Sequence, residues 1–214
     1  MLSALLGVPT PFGAELTALL VVVCFSAGLN VYATVAMLGL LARTGILALP
    51  PSLRLTESWY VMSICVVLFL VEFVGDKIPV FDLVWNVLQT FVRIPVAALL
   101  AYAATSHLPE WEQVLATLLG GLIALASHGG KTAARAIVAH SPEPVSNIAL
   151  SLIEDALVVF LIWFATRHPY IAASIVATAV LLVAMMVRLV WRAMCSLFRG
   201  AESVLTKKAH QHLA

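Results

Sequence analysis

Charge is scarce in this chain. Lys and Arg number 12 and Asp and Glu 11 in 214 residues, and a net charge of +1 offers no concentrated basic face, so nothing supports a nucleic-acid partner. Cysteine is scarcer: Cys24, Cys65 and Cys195 lie in or beside apolar stretches at unrelated spacings, which fits neither a zinc knuckle nor a disulfide framework, and they read as packing residues. No Lys or Arg precedes Arg43, so the basic region of a signal peptide is missing and the N-terminus reads as retained. No Ser-His-Asp, Cys-His or Gly-x-Ser-x-Gly arrangement occurs, so covalent catalysis has no visible basis, and no cofactor is expected.

What is abundant is hydrocarbon. At 62% hydrophobic residues and a mean hydropathy of +1.04 the chain is an integral membrane protein. A bilayer core needs about 20 apolar residues per helix, and that ruler gives six segments at roughly 15–42, 59–76, 81–105, 111–127, 145–166 and 170–194. Prolines fall in the gaps, the connections are short, and residues 1–214 read as one transmembrane domain ending in a polar tail over 200–214. Arg192, Arg199, Lys207 and Lys208 collect at the C-terminus while the His107–Gln113 connection has none, so the C-terminus is expected to be cytoplasmic and six spans put the N-terminus there too.

Two polar, glycine-containing stretches interrupt this grease. Ser26-Ala27-Gly28-Leu29-Asn30 divides the first segment, and Ser127-His128-Gly129-Gly130-Lys131 ends the fourth, so helices 1 and 4 are both predicted to break. Halves at 14–106 and 110–200 would then be three-helix repeats of opposite orientation, a plan common among transporters, with two unrelated kinks as the alternative.

The intramembrane charges recur at helical spacing. Glu72 and Asp76 share a face with Lys77 beyond; Asp82, Asn86, Gln89 or Thr90, and Arg93 form a stripe; Asn147, Ser151, Glu154 and Asp155 form another. A charge facing lipid costs at least about 2.5 kcal/mol, so the stripes must turn inward. One reading is a hydrated cavity in which Glu72, Asp76, Glu154 and Asp155 are balanced by Lys77, Arg93, Lys131 and Arg135, with Asn30, Asn86, Asn147 and Ser151 along an ion or solute pathway. The other is a closed network of buried ion pairs that binds nothing. Adjacent Glu154 and Asp155 repel each other, which suits proton coupling.

The Ser127–Arg135 stretch is not a Walker loop, because Leu125 stands where its first glycine should be. Free N–H groups at a helix start could still hold an anion or lipid phosphate among Ser127, His128, Gly129, Gly130, Lys131 and Arg135; an ordinary cytoplasmic loop with an interfacial helix is the plainer alternative. His128 and His140 match no metal-ligand spacing, so no metal is expected.

Together, Ser26–Thr34, the Val71–Pro79 stretch around Glu72 and Asp76, Ser127–Lys131, and Ser141–Asn147 with Glu154-Asp155 resemble the bacterial multi-pass membrane family catalogued as domain of unknown function 4126, over nearly the whole chain. The resemblance implies a membrane location and leaves the chemistry open. Three functions are expected to compete: a small transporter or channel for an ion or polar solute, a carrier of phosphate-headed lipid, and a non-transporting scaffold or embedded enzyme. Small residues at Ala97-Ala98, Ala101 and Ala103-Ala104 allow close approach between helices or subunits, and a homo-oligomer is expected.

Overall fold

Asn30 divides the N-terminal apolar run into two helices, and the rest of the chain packs around that division. The computed structural model describes residues 11–75, 77, 79–138 and 144–211, and side chains over 13–75, 77, 85–135, 148–192 and 194–196. In order come α1 (Pro11–Leu29), α2 (Val31–Arg43), a 3-10 turn (Pro51–Glu57), α3 (Trp59–Gly75), α4 (Pro79–Ala104), α5 (Glu110–Val138), α6 (Pro144–Arg167) and α7 (Pro169–Gln211), with no strand among the described residues. Pro11, Pro51, Pro79, Pro144 and Pro169 each open an element, where the missing N–H is one the helix leaves unpaired anyway.

By length and apolarity, four described helices can cross a membrane: α4, α5, α6 and α7. The 3-10 turn and α3 meet at 60° and make a fifth if taken as one span. The expected first span over 15–42 is instead two shorter apolar helices, and they do not run in line. Leu38 of α2 lines one small apolar cavity with Leu16, Leu19, Leu20 and Val23 of α1. In a continuous helix Leu38 would lie about 22 Å or more from each of them. α2 therefore folds back beside α1, and Asn30 is the tip of a helical hairpin.

α1 is the centre of the fold. Every residue from Val22 to Asn30 is buried, on all sides rather than along one stripe. α4, α5, α6 and α7 surround it. Close approach rests on small residues: a Cβ on Gly28 would lie 1.9 Å from Ser127 Oγ and 2.4 Å from the Ala124 carbonyl oxygen, and one on Gly120 would lie 2.7 Å from Ala101 Cβ. Ala97, Ala101 and Ala104, read as allowing close approach between helices or subunits, are buried inside the chain. Cys24 meets both the Ala97 carbonyl and Gly120, and Gly28 meets Ala124 and Ser127, so α1 runs parallel to α5.

The second expected break is absent. α5 is helical through Gly129-Gly130 as far as Val138. Two glycines weaken a helix by about 1 kcal/mol each relative to alanine, but in a dry interior an interrupted backbone would strand N–H and C=O groups at a greater cost. Gly130 has a packing role instead, since a Cβ there would lie 3.0 Å from Val183 Cγ2. With α5 unbroken and parallel to α1, helices 1 and 4 are not matched broken elements of opposite direction.

Candidate functional site

The hairpin tip is built by one side chain. Asn30 is extended (φ −151°, ψ 103°) and caps α2: its Oδ1 accepts from the Ala33 N–H at 3.0 Å. In an unbroken helix that N–H would donate to the Leu29 carbonyl. Leu29 O accepts from Lys131 Nζ at 3.1 Å instead, so a cation sits at the negative end of α1. Asn30 Nδ2 donates to Asp155 Oδ1 at 2.9 Å, which brings a carboxylate to the positive end of α2. Both helix ends at the tip are thus met by charge of opposite sign.

Around the tip lies a network drawn from four further helices. Glu72 of α3 pairs with Arg93 Nη2 of α4. Lys131 Nζ lies 3.5 Å from Glu72 Oε1 and 3.3 Å from Glu154 Oε2, and Arg135 Nη2 lies 2.8 Å from Glu154 Oε2. Among the described residues, Arg93, Lys131 and Arg135 face Glu72, Glu154 and Asp155, three positive charges against three negative, all buried. That balance is what a low-dielectric interior demands, because an unmatched ion there costs several kcal/mol.

His128 extends the network. Its Nδ1 lies 3.1 Å from Arg93 Nη1, and a guanidinium only donates, so Nδ1 accepts and the proton sits on Nε2. Nε2 donates to Thr90 Oγ1 at 2.7 Å, and Thr90 donates on to the Asn86 carbonyl at 3.1 Å. Beside this chain, Gln89 Nε2 donates to Tyr32 Oη at 3.0 Å.

Of the residues expected to line a pathway, Asn30, Glu72, Arg93, Glu154 and Asp155 meet here, with Asn86 buried one turn from Thr90 and Ser151 buried one turn before Asp155. Asp76 and the Asn147 side chain lie outside the described residues, as do the side chain of Asp82 and all of His140. Lys77 does not join the cluster: its Nζ donates to Phe73 O at 2.7 Å and sits over the Phe73 ring.

The expected anion site changes character. His128, Lys131 and Arg135 lie inside α5, so no helix start offers free N–H groups there, and the two cations are engaged by carboxylates. Ser127 faces Gly28 and donates to Ala124 O at 3.1 Å, while Gly129 has open space beside it. The Leu29 carbonyl and Tyr32 were not among the expected site residues, and Thr90 was read on its helix's polar stripe but not as the histidine's partner. Tyr32, two residues past the break, carried the one legible signal; a backbone carbonyl leaves none.

The cluster is closed in this conformation, with side-chain exposure of 0% at Glu72, Arg93 and Lys131 and 10% at Glu154. Asp155 also lines a groove of about 690 Å³ with Met37, Phe69, Leu152, Ala156, Val159, Phe160 and Trp163. Among the described residues it is the one charged residue in that lining.

Fold and site define an all-helical protein with membrane-length helices and a buried charge network. The chain belongs to the family described as domain of unknown function (DUF4126), whose family model matches residues 17–192. No curated protein and no solved structure matches it.

Proposed function

We propose that this chain is a small transporter or channel that moves an ion or small polar solute, with the Asn30 hairpin tip and its surrounding charges as the site. The observation that carries this is the convergence of three cations and three carboxylates on a buried helix break. Discontinuous helices whose ends meet charge are a recurrent way to hold ions within a membrane. A scaffold would gain little from the same arrangement, because buried ion pairs add little net stability over apolar packing. Adjacent Glu154 and Asp155 bind different partners, Arg135 with Lys131 and Asn30 respectively, which lets a proton on one loosen one side of the tip alone. A phosphate-headed lipid has less support, since the groove reaching the cluster presents Asp155, a carboxylate.

The same proposal takes α3 to α7 as five spans and α1–α2 as a re-entrant hairpin. The basic C-terminus lies in the cytoplasm of a bacterial inner membrane, the start of α1 lies on the opposite face, and copies associate as a homo-oligomer. The functional test is flux into proteoliposomes, screened over ions and pH. A folded Glu154→Gln/Asp155→Asn double variant is expected to lose pH-dependent flux, and unchanged flux would remove both carboxylates from the mechanism.

A further inference from the structure

We propose that the groove between α2, α3 and α6 binds a lipophilic organic cation, a quaternary or charge-delocalised centre on an alkyl or aromatic body, with its charge at Asp155. The groove holds about 690 Å³, inside the range of about 300–1,000 Å³ usual for small-molecule sites. Met37 comes from α2, Phe69 from α3, and Asp155, Val159, Phe160 and Trp163 from one stripe of α6.

That stripe sets the shape of the ligand. From Asp155 to Trp163 the helix rises about 12 Å at about 1.5 Å per residue, so the carboxylate stands towards one end and the aromatic rings follow along the axis. Phe160 and Trp163 are half-exposed, with ring centroids 6.3 Å apart. On the five-span reading the groove therefore opens toward lipid, and its ligand enters from the bilayer.

Charge chooses the occupant. An acyl tail suits the apolar lining and gains nothing from Asp155, while an anionic amphiphile is repelled by it. A cation on an apolar body gains from both, and the faces of Phe69, Phe160 and Trp163 attract it further. A carboxylate has about four acceptor positions, so the ligand adds to the partners Asp155 already has, Asn30 among them. Because the same carboxylate holds Asn30, occupancy of the groove is felt at the hairpin tip.

As a binding site the inference stands apart from transport; as the class of transported ion it rests on the transport reading.

The test uses the full chain in phosphatidylcholine nanodiscs and equilibrium binding of tritiated tetraphenylphosphonium, with empty nanodiscs subtracted. Wild type is expected to bind it saturably, with decyltrimethylammonium displacing it and neutral triphenylphosphine oxide leaving it bound. Asp155→Asn should weaken binding at least about tenfold, and Trp163→Ala about 3–10-fold. Val159→Trp should abolish binding by filling the groove while leaving the carboxylate in place. Absence of saturable binding overturns the site, and so does equal displacement by the neutral oxide, because the groove then takes any apolar body. Unchanged affinity in folded Asp155→Asn overturns it too; where that variant does not fold, full affinity in Val159→Trp and Trp163→Ala does the same. Binding without protein-dependent phosphonium flux into proteoliposomes keeps the site and removes its ligand from transport. Flux of an inorganic ion by a chain that binds no phosphonium keeps the transport reading and overturns the site.

Discussion

At the scale of single residues, burial makes each charge depend on its partner. Arg93 is fully buried and pairs with Glu72, so Arg93→Leu removes the closest cation of a carboxylate that keeps only the longer contact to Lys131 among its described ion pairs, and is expected to cost about 3–5 kcal/mol. Adding Glu72→Gln should recover much of the loss, whereas Glu154→Gln should recover less, because Arg93 pairs with Glu72 while Glu154 pairs with Lys131 and Arg135. Thermal unfolding of the single and double variants in one detergent checks the order, and equal rescue by both would mean that the cluster acts as a diffuse field rather than through defined pairs. Gly28 is a packing position with a smaller expected cost. With Ser127 Oγ and the Ala124 carbonyl both inside contact distance of an added Cβ, Gly28→Ala should destabilise by about 1–3 kcal/mol. Ser127→Gly should not fully rescue it, since the backbone oxygen stays in place.

At the scale of elements, the hairpin turns on Asn30. Asn30→Ala removes the α2 cap and the bond to Asp155 together, and a loss of about 0.5–2 kcal/mol follows from the cap alone. Asn30→Asp keeps the cap acceptor but sets a carboxylate beside Asp155, so it should be worse than Asn30→Ala, opposite to the usual ranking of caps. Comparative Tm values decide this; an aspartate as stable as the wild type would show that Asp155 is not held at the tip. Element boundaries were largely legible: apolar runs and opening prolines mark α3, α4, α6 and α7 in the sequence. The state of Gly129-Gly130 was not. Glycine permits a break without requiring one, and the choice was made by surroundings in which only a continuous helix keeps its backbone groups paired.

At the scale of the whole molecule, the hairpin sets topology. Five spans plus a hairpin place Glu15, Gly45 and His107 on one face and Lys207 on the other, whereas six spans would put Glu15 with Lys207. Single cysteines at these four positions in a background lacking Cys24, Cys65 and Cys195, labelled by an impermeant reagent in sealed vesicles, distinguish the two. Labelling of Glu15→Cys together with Lys207→Cys and apart from Gly45→Cys would return α1 and α2 to a single crossing.

By itself the sequence determined that the chain folds into apolar helices of membrane length, because a mean hydropathy of +1.04 is far above that of a soluble domain. It also determined that Glu72, Arg93, Glu154 and Asp155 turn inward, since charges at helical spacing cannot face hydrocarbon. Who pairs with whom is a property of the tertiary structure. Asn30 and Asp155 are 125 positions apart, and Leu29 and Lys131 are 102 apart, so neither contact has a local pattern. The return of α2 beside α1 was likewise decided in three dimensions: from Val22 onward α1 is buried on every side, and such a stretch carries no stripe to say which neighbours it will meet.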